Sequence, residues 1–157
     1  MSPEISERSF EVAIECALLN DGPDACAGGA TTVRERSPGY LDVPAGGYRR
    51  HSAKDYDRQL CLLPQAAYDF VLATQPQEWE KLKGHHGAET KERFLHRLSK
   101  EIGQRGALEV LRTGLRDSGC KFQLAYYRPA SGLNPEQQKL YAANQFSVVR
   151  QLHYSTK

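Results

Sequence analysis

The middle of the chain, from residue 64 to residue 115, carries apolar side chains at the three- and four-residue spacing of amphipathic helices. Pro64 suits the first turn of a helix, and Gln75-Pro76 interrupts the pattern. Gly84-His85-His86-Gly87 predicts a loop between two helices. The apolar stripes are Tyr68, Val71 and Leu72; Trp79 and Leu82, in a short turn; Phe94, Leu95, Leu98 and Ile102; and Leu108, Leu111 and Leu115.

The apolar spacing changes to two residues after this helical middle. Apolar residues alternate with polar ones over 122–126, and Phe146, Val148 and Leu152 mark a second strand. Between the two, Asn134-Pro135 combines a capping residue with a proline at the first turn, which predicts a helix start. The sequence therefore predicts an α+β fold with at least two strands near the C-terminus.

A further helical stripe lies near the N-terminus and is formed by Phe10, Ile14, Ala17 and Leu18, with Ser6 or Ser9 as the cap. Glu11 and Glu15 lie one turn apart beside this stripe. Paired carboxylates can hold a divalent metal, whereas two glutamates on a helix are commonly a solvated flank. Both interpretations stay open from the spacing alone.

Residues 21–53 are rich in glycine, proline and alanine and predict a long flexible loop, with one short strand over 31–36. Arginine binds phosphate through its planar fork of donors. The segment is therefore either a contact to a nucleic-acid backbone or a solvated loop whose charge keeps the protein soluble. The arginines in and after it are Arg34, Arg36, Arg49, Arg50 and Arg58.

Length and charge narrow the class of protein. A chain of 157 residues is one ordinary domain, and a formal net charge of +2 excludes a basic tail as the whole molecule. No apolar run approaches the roughly 18 residues of a membrane span, and no signal peptide is visible, so we expect a cytoplasmic protein without a membrane partner. The four cysteines lack a Cys-x-x-Cys pair, which predicts free thiols rather than a zinc site.

Three short patterns suggest metal chemistry without establishing it. Glu89-Thr90-Lys91 matches half of a nuclease motif but opens a polar helix, so we interpret it as a chance match. Asp55 and Asp57 are either metal ligands or turn residues. A free-standing metal-dependent hydrolase that uses Glu11, Asp55, Asp57 and His85 is one alternative function.

Several stretches, kept in order from residue 10 to residue 155, resemble the N-terminal region of the R (restriction and translocation) subunit of type I restriction enzymes. They are Phe10-Glu11, Asp55-Tyr56-Asp57-Arg58, Cys61-Leu62, Thr74-Gln75-Pro76-Gln77-Glu78-Trp79, Val110-Leu111-Arg112-Thr113-Gly114, Phe122-Gln123-Leu124-Ala125-Tyr126-Tyr127-Arg128-Pro129, Ser131-Gly132-Leu133-Asn134 and Val149-Arg150-Gln151-Leu152-His153-Tyr154-Ser155.

The resemblance implies a nuclease of the PD-(D/E)xK class, followed in the complete subunit by two motor lobes that consume ATP. It implies Mg²⁺ and ATP as cofactors of the complete subunit, and duplex DNA, a methyltransferase subunit and a specificity subunit as partners. The family's nuclease core begins with a helix whose glutamate lies near the metal, and Glu11 is the matching position. Arg34, Arg36, Arg49, Arg50, Arg150 and Gln151 are the candidate DNA-binding residues.

In this family the segment like Arg150–Ser155 is followed by a strand with the catalytic Asp and then by a strand with Glu-x-Lys. This sequence ends at Lys157, before both, and has no motor lobes. We therefore expect residues 1–157 to be a single domain, a partial nuclease core without a complete catalytic set. The chain alone should need no cofactor and should not cut DNA.

Two further expectations concern partners. A sheet that lacks its neighbouring strands exposes an edge, which predicts self-association. The alternative to a restriction subunit is a small adaptor that binds DNA or a protein partner without catalysis.

Overall fold

A computed structural model of the protein describes residues 7–19, 47–130 and 133–152. Within these ranges the chain combines helices with short strands, which confirms the α+β class. The elements are α1 (Glu7–Leu19), β1 (Tyr48–His51), α2 (Pro64–Thr74), α3 (Pro76–His86), α4 (Thr90–Arg105), α5 (Ala107–Thr113), β2 (Leu115–Asp117), β3 (Cys120–Phe122), α6 (Pro135–Ala142) and β4 (Phe146–Val149).

The predicted helical middle is present, but two of its boundaries lie in different places, at His85-His86 and at Leu115. Pro64 and Pro76 open α2 and α3, as their missing N–H groups allow. The loop predicted at His85 and His86 is wrong, since both residues form the last turn of α3. A glycine inside a helix costs only about 1 kcal/mol, so Gly84 is tolerated, and Gly87 ends the helix with a φ of 60°.

The core lies among α2, α3, α4, α5 and the β2–β3 hairpin. Its centre consists of aromatic rings that meet edge to face: the ring centroids of Trp79 and Phe94 are 5.4 Å apart, and those of Phe94 and Phe122 are 5.1 Å apart. Phe94 and Phe122 have no exposed surface. The remaining buried members are Phe70, Val71, Leu82, Leu95, Leu98, Val110, Leu115 and Cys120.

The β2–β3 hairpin was predicted only in part. Leu115, assigned to a helical stripe, pairs with Phe122 in this antiparallel sheet because Gly114 ends α5 with a φ of 78°. Ser118 and Gly119 both have positive φ values, as the tight hairpin turns that match strand twist require. The predicted strand over 122–126 ends at Phe122.

The second sheet consists of β1 and β4, which pair in parallel with Tyr48 opposite Phe146. The two rings stack with their centroids 5.2 Å apart. Residues 48–51 were predicted to belong to the flexible loop and instead form β1. The strands near Phe122 and Val148 therefore lie in two different sheets. The short strand predicted at 31–36 lies outside the described residues.

The predicted helix α1 is present, but its apolar stripe is not its packed side. The side chains of Phe10 and Ile14 are 61% and 46% exposed, whereas Glu15 and Leu19 are buried. Ser9 lies inside the helix and is not its cap, and Ser6 lies outside the described residues. Cys16 is disulfide-bonded, so the expectation of a free thiol is wrong there. Helix α1 packs on β1 through its acidic side.

Among the described residues, the helices are too short or too polar to cross a bilayer.

Candidate functional site

Four charged side chains meet where α1, β1 and the end of β4 come together. The Nε of Arg50 donates to Glu15 at 2.9 Å. Arg150 donates to Glu11 at 3.0 Å and to Glu15 at 3.3 Å. Glu15 therefore accepts from two guanidinium groups, and Arg150 bridges the two carboxylates of α1.

The local structure explains why these side chains converge. Residues four apart on a helix share one face, so Glu11 and Glu15 point in the same direction. In the parallel register Arg50 lies opposite Val148, which brings Arg150 next to the same end of the sheet. The face of α1 that packs on the sheet is therefore the one with the carboxylates, and its ion pairs add to the burial of Leu19.

The side chains of this cluster are buried to different extents. Only 8% of the Glu15 side chain is exposed, against 28% of Arg150 and 51% of Arg50. The hydrogen bond to Glu11 raises the pKa of the Arg150 guanidinium above its ordinary value; burial opposes this, and the bond to Glu15 adds to it. The Nε of Arg150 is buried and has no hydrogen-bond partner.

A cavity of about 540 Å³ opens beside this cluster. It is rich in cationic and hydrogen-bonding groups, with Glu15 as its carboxylate. Its lining residues are Arg8, Glu15, Arg50, His51, Ser52, Ala53, Arg150 and Gln151. Such a lining suits an anion, because guanidinium groups bind phosphate and carboxylate through paired hydrogen bonds.

The structure brings together four residues that the sequence selected separately. Glu11, Arg50 and Arg150 share one hydrogen-bonded cluster, and Gln151 lines the adjoining cavity. Arg49 lies on β1 and is exposed, and it does not line the cavity. Arg34 and Arg36 lie outside the described residues.

A metal at Glu11 stays a prediction. Its carboxylate accepts from Arg150. Among residues 7–19, 47–130 and 133–152, no three His, Cys, Asp or Glu side chains are placed to hold an ion together.

The other acidic candidates have structural partners. The Asp55 carboxylate accepts from the Ser52 N–H at 2.9 Å, and Asp57 accepts from the N–H groups of Gln59 and Leu60. These are the contacts of turn residues. His85 is exposed in the last turn of α3. In this arrangement Asp55 and Asp57 stabilise the chain around the 3₁₀ turn at Ala53–Asp55.

The half motif around Glu89 lies on helical turns rather than on a strand. Glu89 pairs with Arg93 at 3.0 Å. The Nζ of Lys91 donates to Gln65 at 2.7 Å and lies 4.4 Å from the centre of the Tyr68 ring. Both side chains bind neighbours on the surface, which agrees with a chance match to the nuclease motif.

One cluster was missed by the sequence reasoning. The Ser118 hydroxyl donates to Asp117 at 3.0 Å and lies 3.1 Å from the Nε2 of His86. The Asp117 carboxylate is 3.6 Å from the same ring nitrogen. In a catalytic triad the carboxylate holds the other ring nitrogen, so this cluster joins α3 to the hairpin turn and does not reproduce a relay. The separation of 32 residues between His86 and Ser118 left no local signal.

No protein-family model matches the chain, and neither the curated proteins nor the solved structures contain a match to it. The similarity to restriction subunits therefore depends on the sequence stretches themselves.

Proposed function

We propose that this chain is the front part of the nuclease domain of a type I restriction enzyme R subunit. It serves Mg²⁺-dependent, ATP-dependent DNA cleavage as a part of the complete subunit. The observation that carries the proposal is the contact between Glu11 and Arg150, which are 139 residues apart and which the resemblance places next to the metal and next to the catalytic strand.

The order of elements supports this assignment. In the family, the segment like Arg150–Ser155 leads into the strand with the catalytic Asp. Here Arg150 follows β4 directly and touches both carboxylates of α1. A strand that continues from this point starts beside Glu11, where the family holds its metal. The parallel β1–β4 pair supplies the beginning of the sheet that such a nuclease core requires.

The charges around α1 support the proposal that the isolated chain is inactive. Mg²⁺ needs carboxylate oxygens that are free to coordinate it, and a cleavage site clamps the reacting oxygens on the metal. Glu11 and Glu15 are instead compensated by Arg50 and Arg150. An ion at this position must displace a guanidinium group from a mostly buried carboxylate.

The test combines assembly with cleavage. The purified chain is mixed with the methyltransferase and specificity subunits of a type I system from the same genome, and assembly is followed by gel filtration. Separately, the chain alone is incubated with supercoiled plasmid and Mg²⁺. We expect co-elution with the complex and an intact plasmid. Nicking by the chain alone that disappears in Glu11→Ala, and persists in the control Glu7→Ala on the same helix, contradicts the proposal.

A small adaptor that binds DNA without catalysis is the second candidate, and the arginine-lined cavity favours it. Phosphate contact requires cations and hydrogen-bond donors but no catalytic set. The two candidates differ in their partners. An adaptor unrelated to restriction binds duplex DNA but does not co-elute with the methyltransferase and specificity subunits.

A further inference from the structure

We propose that the cavity between α1, β1 and the end of β4 binds a phosphodiester group of the DNA backbone, with Arg8 as its main contact. This inference rests on the proposed function in one respect, namely that the domain works on DNA. It goes beyond it by assigning a phosphate-binding site to named side chains.

The charge balance of the site fits a phosphodiester. Among the described residues, three guanidinium groups line the cavity, on Arg8, Arg50 and Arg150, and the carboxylates of Glu11 and Glu15 compensate two of them, which leaves one positive charge in excess within this set. A backbone phosphodiester carries one negative charge and matches this excess. A free phosphate or the end of a nucleotide carries more charge than the site compensates.

Arg8 is the residue best placed to accept a new partner. Within the described part of the chain its guanidinium makes no hydrogen bond or ion pair, and the residue is exposed and lines the cavity. Arg50 holds Glu15 through its Nε, and half of its side chain is exposed to solvent. A guanidinium group binds phosphate with two parallel hydrogen bonds, so Arg8 can bind two phosphate oxygens, and the exposed part of Arg50 adds positive charge beside it.

Neutral donors complete the lining. The Ser52 Oγ accepts from the Lys54 N–H at 3.2 Å, which leaves its own hydroxyl hydrogen available to donate. Gln151, whose side chain is an amide, also lines the cavity. Mixed arginine, hydroxyl and amide donors are the usual contacts to phosphate oxygens in protein–DNA complexes.

The buried carboxylate of Glu15 orients the arginines of the site, although it carries the same sign of charge as the phosphate. Glu15 holds Arg50, and together with Glu11 it holds Arg150, so both arginines are oriented before a ligand arrives. A side chain that is already ordered loses less conformational freedom on binding. Glu15 is therefore a positioning residue, and its own charge is matched by the two arginines.

The test is a titration of the full chain against a fluorescently labelled duplex without a recognition sequence, by anisotropy at several salt concentrations. The variants are Arg8→Gln, which removes the charge; Arg8→Lys, which keeps it; and Lys100→Gln, which removes one charge from α4. Arg8 has no described protein partner, so these variants should fold, and thermal unfolding confirms it.

We expect Arg8→Gln to weaken binding and to lower the slope of log affinity against log salt by about 0.9, the value of one phosphate contact. Arg8→Lys should retain the slope, and Lys100→Gln should bind like the unmodified chain. Equal slopes for Arg8→Gln and the unmodified chain overturn the site, as does an equal loss in Lys100→Gln.

Competition identifies the source of the phosphate. Inorganic phosphate and ATP are added at constant ionic strength, with chloride as the reference. We expect each to displace DNA no better than chloride does. Stronger displacement by either assigns the cavity to free phosphate or nucleotide and overturns the backbone assignment.

This experiment is independent of the test of the proposed function. If DNA binding depends on Arg8 but the chain does not co-elute with the methyltransferase and specificity subunits, the proposed function is contradicted and the phosphate-binding site is supported. A chain that co-elutes with them but binds DNA without dependence on Arg8 overturns the site alone.

Discussion

At Gly114, between α5 and β2, two backbone segments lie so close together that a side chain has no space. A Cβ at this position would lie 2.4 Å from the backbone oxygen of Phe122, and the φ of 78° is one that only glycine adopts easily. Gly103, inside α4, has nothing within 4 Å of its virtual Cβ. The two glycines therefore have opposite roles in stability.

We predict that Gly114→Ala lowers the free energy of unfolding by about 2–3 kcal/mol, because it combines a steric overlap with a strained backbone. Gly103→Ala should raise it by about 0.5–1 kcal/mol, since alanine favours the helix. Urea unfolding followed by circular dichroism measures both values. An unchanged midpoint in Gly114→Ala contradicts the close approach.

Cys120 is a second residue whose environment gives a measurable effect. The pKa of its thiol is raised, and burial in the core is the largest cause. A group whose pKa is raised in the folded state contributes stability that is complete below its unfolded value and is lost as the pH rises through the folded value. The unfolded thiol titrates near pH 8.5, so the loss begins at about that pH.

We predict that the free energy of unfolding falls as the pH rises above about 8.5, and that Cys120→Ala shows a smaller fall. Val110→Ala is the matched control, because Val110 is buried in the same core and carries no titrating group. Burial also raises the pKa of Tyr126, and the resulting decrease should be the same in all three proteins. Identical pH profiles for the unmodified chain and Cys120→Ala contradict the role given to the buried thiol.

At the scale of elements, ion pairs join the carboxylate side of α1 to β1 and to the end of β4. Its buried side carries Glu15 and Leu19, whereas Phe10 and Ile14 face outward. Arg150 contacts both Glu11 and Glu15, so its removal leaves Glu15 with Arg50 and breaks the bond to Glu11. A mostly buried carboxylate that loses a partner destabilises the element that carries it.

We predict that Arg150→Ala lowers the free energy of local opening of α1 by about 1–3 kcal/mol. This is less than the loss expected for a fully buried pair, because 28% of the Arg150 side chain is exposed. Arg49→Ala, on the exposed side of β1, should change stability by less than about 0.5 kcal/mol. Hydrogen exchange of the α1 amides is the measurement, with α4 as the internal reference. Equal protection of α1 in the two variants contradicts the role of Arg150.

At the scale of the whole molecule, the two sheets have different surroundings. The β2–β3 hairpin carries buried core residues, whereas β4 carries Phe146 with 44% of its surface exposed. Within the described residues, β1 and β4 pair only with each other. Parallel strands are normally found in covered sheets, and open edges pair with other chains.

We predict that the chain self-associates through this sheet at high concentration, as measured by light scattering. Ser147→Lys places a charge on exposed β4 and should reduce the association, since edge lysines block pairing. Gln104→Lys adds the same charge on α4 and should not. A monomer across the whole concentration range contradicts the prediction.

Local signals in the sequence were sufficient for several elements. Pro64 and the stripe from Phe94 to Ile102 predicted α2 and α4, and Asn134 caps α6 through hydrogen bonds to the N–H groups of Glu136 and Gln137. These features involve neighbours within one or two helical turns. Their physical basis is short-range, so a single sequence contains it.

The site was decided by tertiary structure. The sequence by itself selected Glu11, Arg50, Arg150 and Gln151 as candidates and predicted a helix around Glu11. It did not predict that β1 pairs with β4, that the acidic side of α1 packs inward, or that Arg150 reaches Glu15 across 135 residues. Pairing between distant segments depends on which surfaces meet when the chain compacts, and the spacing of residues along the chain carries no record of that choice.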